Sequence, residues 1–221
     1  MRQRLFKDKN MDLVIIGAGG HSKDLEYLAY SDKYNDWNII GYLDDNLSLN
    51  NNNIIGNISI VNSLLEKYPN LKYTIAINSS KIRKNVESNI QRIDRAANLI
   101  HETAVIGTHC QYGNGLTMGP YSVLTTKVTL GIHVHINTAA SINQSSSIGD
   151  FCTVSPGARI CGDVNVGAQT SIGAGSVIIN FKNVGSNCTL GAGTVVIDNI
   201  SDHTTVVGVP GREIKKFGEY I

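Results

Sequence analysis

Apolar residues recur at every sixth position between Ile100 and Val196, without one insertion or deletion. The residue that follows is often glycine, and the fifth residue of each unit is usually small or β-branched. A six-residue period is typical of a parallel β-helix, in which each unit forms a short strand and a bend. We expect three units to close one triangular coil, with the aliphatic side chain inside, the small residue at the corner and glycine supplying backbone freedom where the chain turns.

A different pattern precedes the repeat. The apolar run at 12–16 ends in the sequence GAGGHS at 17–22, and residues 23–30 have helical spacing. Alternating strands and helices predict a small Rossmann-like α/β domain with a parallel sheet. Its ligand site is expected at the carboxyl ends of the strands. The other predicted elements are strands at 38–43 and 72–77 and helices at 61–67 and 81–92.

The glycine turn and an aspartate pair converge on that predicted site. Free N–H groups and the helix dipole at such a turn can bind an anion. Ser22 replaces the third glycine of the dinucleotide fingerprint, so the turn could also be only a tight connection. Asp44 and Asp45 could likewise form only a solvated turn, but the two features together favour a nucleotide-sized pocket.

Composition narrows the range of partners and compartments. The chain has 221 residues and a formal net charge of +1, which favours neither nucleic acid nor an anionic membrane. No apolar run is long enough for a transmembrane helix. The four cysteines lack metal-ligand spacing, and three of them occupy the small corner position, so buried thiols in a reducing cytoplasm are expected and no metal site is.

The pattern divides the chain into four segments. Residues 1–10 are basic but lack the apolar centre of a secretion signal, and they are interpreted as a disordered extension. The Rossmann-like domain is placed at 11–98 and the β-helix at 99–205. The period fails after Val196, and 206–221 are expected to form a turn and a short helix or tail.

Several motifs together carry a family resemblance from about residue 11 to 212. They are VIIGAGGHSKD (14–24), GYLDD (41–45), IAINSSKIR (75–83), LIHETAVIG (99–107), INTAASINQSSSIGD (136–150), VSPGARICGDVNVG (154–167) and VVGVPGREIK (206–215). The chain resembles bacterial sugar acyltransferases of the left-handed β-helix superfamily, in particular the sialic acid O-acetyltransferases and the N-acetyltransferases of nucleotide-linked 4-amino sugars, such as the bacillosamine-pathway enzyme. The resemblance implies a cytoplasmic homotrimer that uses acetyl-CoA in surface glycan synthesis.

The resemblance also implies positions for the site residues. The nucleotide-linked sugar, with UDP or dTDP favoured over GDP, is expected at Gly17, Gly19, Gly20, His21, Asp44, Asp45 and Asn78, although Asn78 stands where relatives often have glycine. Acetyl-CoA is expected at Thr153, Gly162, Ala174 and Ala192, in a groove between neighbouring β-helices. The backbone N–H of Gly162 is expected to donate to the thioester oxygen.

One departure from the family pattern affects the chemistry. Gln144, followed by Ser145, stands at the position of the family's general-base histidine. Glutamine can form hydrogen bonds but cannot take a proton at any relevant pH. Eighteen residues make one coil, so Thr126, Gln144 and Gly162 should stack along one edge. Gln144 could be a deliberate replacement of histidine, a natural variant that uses an amine substrate or another base, or the mark of a protein that binds without turnover.

Other functions remain open at this point. O-acetylation of a sialic-type sugar is the second enzymatic candidate, and a non-catalytic trimer that binds a sugar nucleotide or CoA is the third. His133 and His135 are expected to be exposed edge residues that do not stack under Gln144. Zinc-dependent carbonic anhydrases with a left-handed β-helix use histidines, but the N-terminal domain would have no use in such an enzyme.

Overall fold

The computed structural model describes residues 8–48 and 53–214 and forms two compact units. Within these described residues, the first unit extends to Glu102 and includes Asn114–Thr117, and the second comprises Thr103–Gly113 and the residues from Met118 onward. The first strand already begins at Asp8, which pairs with Asn35, so residues 8–10 belong to the sheet and not to the expected disordered extension. Residues 1–7 of that extension lie outside the described residues.

The first unit is a parallel four-stranded sheet with helices, as the alternating pattern predicts. Its strand order is β3-β2-β1-β4. Strand β3 was not predicted, because it has only three residues and follows an asparagine-rich stretch. The elements are β1 (Asp8–Ile16), α1 (Gly20–Tyr30), β2 (Asn35–Leu43), β3 (Ile54–Gly56), a 3-10 turn (Ile58–Ile60), α2 (Val61–Lys67), β4 (Lys72–Ile75), α3 (Ser80–Ser88) and a second 3-10 turn (Ile93–Arg95).

Strand β1 lies in the middle of this core. Alternate side chains of a strand point to opposite faces, so Leu13 and Ile15 pack on the side of α1, whereas Val14 and Ile16 pack on the side of α2. All four are completely buried. Burial on both faces explains why the sequence of β1 is a continuous apolar run.

The second unit is the expected β-helix. Seventeen two-residue strands, β5 to β21, each end on one of the recurring apolar residues. They are Leu99–Ile100, Val105–Ile106, Gln111–Tyr112, Thr117–Met118, Val123–Leu124, Thr129–Leu130, His135–Ile136, Ser141–Ile142, Ser147–Ile148, Thr153–Val154, Arg159–Ile160, Asn165–Val166, Ser171–Ile172, Val177–Ile178, Asn183–Val184, Thr189–Leu190 and Val195–Val196. The first of them, β5, belongs to the first unit.

The strands form three parallel sheets, which are the faces of a prism. Face 1 has the order β21-β18-β15-β12-β9-β6, face 2 has the order β19-β16-β13-β10-β7, and face 3 runs from β20 through β17, β14 and β11 to β8. Strands one coil apart pair in register, as Thr129 does with Ser147. The backbone hydrogen bonds thus run between coils, and they stack the units into a column.

The bends are made differently from the sequence expectation. Counting each unit from its apolar residue, the fourth residue has positive φ in fifteen of the seventeen units, and residues such as Ser145, Asp163 and Phe181 have φ between 56 and 63° there. The recurrent glycine at the second position does not have positive φ. It is required because the next coil passes so closely: a methyl group on Gly149 would come within 2.6 Å of the Ala168 nitrogen.

Small polar corner residues satisfy backbone groups of the next coil. The Ser146 hydroxyl donates to the Cys161 carbonyl at 2.9 Å, and the Thr170 hydroxyl donates to the Gly185 carbonyl at 2.8 Å. Cys152 and Cys188 are buried at the same corner position, and all four cysteines are free thiols. The corner residues thus add hydrogen bonds to the prism in addition to leaving room for its bends.

The β-helix ends in a hairpin. After Val196, strand β22 (Thr205–Val207) joins face 3 beside β20, and β23 (Arg212–Ile214) pairs with it in the antiparallel direction. The turn expected from residue 206 onward is therefore the loop of this hairpin. Residues 215–221, on which the expected terminal helix or tail falls, lie outside the described residues.

Candidate active site

Gln144 and Gly162 are stacked in consecutive coils, at the edge between faces 1 and 2. The N–H of Asp163 donates to the Gln144 carbonyl at 2.9 Å, which fixes the two coils together. The Gln144 side chain lies across the Cα atom of Gly162, because a methyl group there would come within 2.6 Å of the Gln144 Cδ. The stacking expected from the eighteen-residue coil is therefore present. We call this column, Thr108, Thr126, Gln144, Gly162 and Asn180, the Gln144 edge.

Gly162 is buried, with the Gln144 carboxamide lying against it. At the equivalent position of another edge, the Ile132 N–H donates to Asp150 Oδ1 at 2.9 Å, and the Ser186 N–H donates to Asp202 Oδ1 at 2.8 Å. Over 8–48 and 53–214 the Gly162 N–H has no such acceptor. The exposed carboxamide of Gln144 also makes no hydrogen bond within these ranges. A donor and an amide thus lie side by side, and neither is used by the fold.

Ser145 and the threonines below it complete the edge. Ser145 is exposed and has a left-handed backbone conformation, with φ of 56°. Its N–H donates to the Thr126 carbonyl at 3.1 Å. The Thr126 hydroxyl donates to the Thr108 carbonyl at 2.9 Å. Neither threonine hydroxyl nor the glutamine amide is a base at neutral pH. Each residue from Thr108 to Asn180 in this column is the third of its unit, counted from the apolar residue. These third positions offer hydrogen bonds but no proton acceptor.

The histidines of the second unit are not where the sequence analysis placed them. His133 and His135 are each only 1% exposed, so the expectation of exposed edge residues is wrong. His133 stacks on the ring of Phe151 in the next coil, at a centroid distance of 5.5 Å. His135 lies on face 3 and pairs in register with Thr153. Both are packed into the fold, away from the Gln144 edge.

The remaining acetyl-CoA residues do not meet Gly162 within one chain. Ala174 and Ala192 are exposed and stacked, with the Gly193 N–H donating to the Ala174 carbonyl at 2.8 Å. They lie with Pro156 on the edge between faces 3 and 1, which we call the alanine edge. Thr153 lies on face 3. The structure thus brings Gln144, Ser145 and Gly162 together, and it places the others on a separate edge and face.

The glycine turn of the first unit has two parts with different roles. Gly17 has φ of 98°, and a methyl group there would touch the Ala76 carbonyl oxygen at 3.0 Å, so glycine is required by the fold. Gly19 and Gly20 have no positive φ, are exposed and would meet nothing within 4 Å if they carried a side chain. The space above them is therefore open at the start of α1, where backbone N–H groups are available to an anion.

The aspartate pair holds this part of the sheet together. Asp44 Oδ2 accepts the Ala18 N–H at 2.7 Å, and its Oδ1 accepts the Asn46 N–H at 2.9 Å. Asp45 Oδ1 accepts the Ile58 N–H at 3.1 Å. The pair is thus more than a solvated turn, because Asp44 ties the end of β2 to the glycine turn. Any contact of Asp44 with a ligand would be added to that structural role.

His21 lies at the beginning of α1. Its Nδ1 is 3.1 Å from Asp24 Oδ2. Burial lowers the pKa of His21 below its ordinary value of 6.5, while Asp24 opposes the shift. The ring is therefore largely neutral at neutral pH and can donate or accept a hydrogen bond.

Arg83 is a residue of this region that the sequence analysis did not single out. It is completely buried, and its guanidinium donates to the carbonyls of Ile77 at 2.8 Å and Asn78 at 3.1 Å. Exposed Asn78 is thereby held at the end of β4. The available signal was the spacing of Arg83 and Glu87, which places two charged residues on one side of α3.

Comparisons with known proteins address both units. The PglD N-terminal domain family matches residues 12–90. A GDP-perosamine N-acetyltransferase of Escherichia coli O157:H7 is 31% identical over 101 residues, which cover 44% of this chain and 46% of that enzyme. The acetyltransferase domain of PglB from Neisseria gonorrhoeae is 30% identical, with a TM-score of 0.82 over 93% of this chain and all of that domain. The chain belongs to the hexapeptide-repeat sugar acetyltransferases with a PglD N-terminal domain.

Two solved structures similar to this chain contain bound ligands. The same PglB domain is known in complex with acetyl coenzyme A, at 29% identity to this chain. PerB from Caulobacter crescentus, known with CoA and GDP-perosamine, has a TM-score of 0.84 over 92% of this chain, and its 24% identity supports the fold alone. The predicted fold class, an α/β domain followed by a left-handed parallel β-helix, is confirmed, and so are the acetyltransferase family and acetyl-CoA as its co-substrate.

Over 8–48 and 53–214, no helix is both long enough and apolar enough to span a bilayer. The described residues also contain no cluster of three histidine, cysteine or acidic side chains that could hold a metal ion.

Proposed function

We propose that this protein transfers the acetyl group of acetyl-CoA to the amino group of a nucleotide-linked 4-amino sugar. The observation that carries the proposal is the stacking of Gln144 on Gly162, at the position where the family places its base beneath an oxyanion donor. The curated relative and the PglB domain support the reaction class, since the first is named an N-acetyltransferase and the second binds acetyl coenzyme A.

The proposed chemistry uses the Gly162 N–H as an electrostatic donor. The sugar amine attacks the thioester carbonyl, and the carbonyl oxygen becomes an oxyanion that accepts the Gly162 N–H. One such donor is worth about 10²–10³ in rate, because it faces the charge that develops in the transition state. This role is supported because the buried Gly162 N–H has no acceptor within 8–48 and 53–214.

Gln144 would then orient the amine by a hydrogen bond without removing its proton. Loss of a general base costs about 10²–10⁴ in rate, whereas orientation and the oxyanion donor continue to act. We therefore propose a slow enzyme compared with relatives that carry histidine here. A partly deprotonated amine is a better acceptor for such a site than a hydroxyl, which favours N-acetylation over O-acetylation.

The first unit would bind the nucleotide-linked sugar. Gly19 and Gly20 leave the start of α1 open to phosphate, and His21 and Asn78 lie at the same end of the sheet. The sequence favoured UDP or dTDP, whereas the curated relative acts on a GDP-linked sugar. A test of substrates must therefore include all three nucleotides.

A homotrimer would complete the acetyl-CoA site. Face 1 separates the Gln144 edge from the alanine edge, and four of its six outward residues are valines, whereas the other two are Ser141 and exposed Arg159. Face 2 instead carries a polar ladder, in which Asn165 donates to Asn183 at 3.0 Å. We propose that copies meet through face 1, so that the alanine edge of one faces Gly162 of the next.

The free cysteines support a reducing cytoplasm as the place of the reaction.

The test is incubation with acetyl-CoA and GDP-, UDP- and dTDP-linked 4-amino sugars, with release of free CoA thiol and the product mass as readouts. We expect CoA release and addition of one acetyl group with one of the three nucleotides, and faster release in Gln144→His. If neither the unchanged protein nor Gln144→His consumes acetyl-CoA with any of them, the proposed function is wrong.

A further inference from the structure

The Gln144 edge has no proton acceptor at its third positions, but an acidic side chain lies immediately beside it. Asp163 follows Gly162 in the chain, and its N–H donates to the Gln144 carbonyl at 2.9 Å. It has φ of 57° and is exposed, so its side chain projects from the corner, one coil above Ser145. Aspartate tolerates this left-handed conformation better than most residues do.

The Asp163 carboxylate is not used by the fold. The carboxylates of Asp150 and Asp202, at another edge, accept the N–H groups of Ile132 and Ser186 in the preceding coil. Over 8–48 and 53–214, the carboxylate of Asp163 makes neither a hydrogen bond nor an ion pair. Two aspartates of the prism, Asp150 and Asp202, thus cap the backbone, whereas Asp163 lies uncommitted beside the proposed oxyanion donor and exposed Asp198 follows Asn180 on the same edge, two coils above Gly162.

Other titratable groups on this edge are farther from Gln144 or unsuited to the task. Lys127 and His109 occupy the same corner column as Asp163, two and three coils below it. With coils about 4.8 Å apart, they lie roughly 10 Å and 14 Å from the level of Asp163. Lysine is ordinarily protonated and cannot act as a base at neutral pH. Lys182 stacks on Val164, and the carboxylate of Asp198 lies two coils, roughly 10 Å, above the level of Gly162.

We propose that Asp163 is the proton acceptor of this chain, in place of the histidine that Gln144 replaces. The proposal rests on the proposed function. The amine nitrogen bonds to the thioester carbon, and the carbonyl electron pair moves to the oxygen. The nitrogen proton passes to the Asp163 carboxylate. When the oxyanion collapses, the carbon–sulfur bond breaks, and the thiolate of CoA takes the proton back from Asp163.

The experiment is a double-mutant cycle with Asp163→Asn and Gln144→His, in the full chain and with the nucleotide sugar that supports turnover. Asn removes the base but tolerates the left-handed backbone. We expect Asp163→Asn to lower kcat by about 10²-fold or more, with little change in KM for acetyl-CoA. In the Gln144→His background the same change should cost less than about threefold, because imidazole then takes the proton.

The pH dependence separates a base from a structural residue. The ionisation of the amine substrate affects the unchanged protein and Gln144→His equally. Dividing kcat/KM of the unchanged protein by kcat/KM of Gln144→His at each pH therefore removes its contribution. We expect this ratio to rise as the pH falls below about 6.5, since imidazole becomes protonated there whereas a carboxylate remains ionised. Asp163→Asn should abolish the rise. Asp150→Asn, the matched change at a capping aspartate, keeps an oxygen acceptor and should leave the profile unchanged.

Three outcomes contradict the proposal. Asp163→Asn could leave kcat unchanged, or it could lower kcat equally in both backgrounds, as a structural residue would. The unchanged protein could also be inactive while Gln144→His turns over, which would mean that no group replaces the histidine. A complete lack of turnover in both proteins is a different result and contradicts the proposed function itself. Melting curves and Asp163→Gly, which suits positive φ, exclude a loss of folding as the cause.

Discussion

The side chain of Gln144 occupies the space that a Cβ atom on Gly162 would need. A methyl group at position 162 would come within 2.6 Å of the Gln144 Cδ, although the two residues are separated by a full coil. The other glycine contacts in the prism are mostly with backbone atoms, as for Gly149 and the Ala168 nitrogen. The absence of a Cβ atom at Gly162 therefore leaves room for the Gln144 side chain, which lies at the proposed reaction centre.

Gly162→Ala should impair activity more than stability. The alanine methyl displaces Gln144, which is exposed and can move, so we expect kcat/KM to fall by about tenfold or more through loss of the positioned donor and amide. The matched control is Gly149→Ala, in which the methyl meets backbone that cannot move. Overpacking there should cost about 1–3 kcal/mol, or several degrees in Tm. Acetyl-CoA turnover and thermal unfolding measure the two effects, and equal losses of stability in both variants would contradict the distinction.

Gly19→Ala and Gly20→Ala should weaken binding of the sugar nucleotide without unfolding the protein. Neither position has a neighbour within 4 Å, and Gly20 lies in the first turn of α1, where alanine is favourable by up to about 1 kcal/mol. A new methyl above the helix start should raise KM for the nucleotide sugar by about tenfold, since backbone and phosphate can no longer approach closely.

Gly17→Ala is the control for this pair. Its φ of 98° and the nearby Ala76 carbonyl should make it destabilising by about 1–3 kcal/mol. Titration with the nucleotide sugar and urea unfolding distinguish the two classes. Unchanged binding in both Gly19→Ala and Gly20→Ala would place the ligand elsewhere.

Stability should fall as the pH is lowered below about 6.5. Burial lowers the pKa of His21 and of His101 from their ordinary value of 6.5. The unfolded chain then binds more protons than the folded one in this range, so stability increases with pH and is lost on acidification. Urea unfolding between pH 5 and 7.5 should show this slope, flattened in His21→Gln and in His101→Gln. A slope that both variants leave unaltered would assign the acid sensitivity to other groups.

Val177→Glu should dissociate the proposed trimer. Val177 is half-buried on the outer side of face 1, and a buried carboxylate between copies would cost several kcal/mol. The comparable change Asn165→Glu, on the polar face 2, should leave assembly intact. Light scattering after gel filtration gives the mass, and acetyl-CoA turnover gives the functional consequence. If the trimer survives Val177→Glu but not Asn165→Glu, the interface lies on face 2 and the proposed interface is wrong.

Stacking along the β-helix could be predicted from the sequence because every coil has the same length. A period of six with three units per coil places each residue above the one eighteen positions before it, whatever the side chains are. The position of Gln144 under Gly162 followed from this arithmetic alone, whereas the six-residue unit predicted a short strand and a bend without giving the strand's bounds. No long-range information is needed, since each coil contacts mainly its neighbours.

Tertiary structure decided what the repeat does not specify. The period could not show that His133 and His135 are buried, because burial depends on what packs against a face. Nor could it show that Asp44 accepts the Ala18 N–H across 26 residues, because that bond requires the paired ends of two strands whose register shifts at an irregularity between Leu13 and Val14. The sequence by itself determined the prism and the order of residues along its edges. Only the tertiary structure decided which of those side chains form hydrogen bonds within the fold and which, like Gln144 and Asp163, do not within the described residues. The reason is that these hydrogen bonds join segments that are distant in sequence.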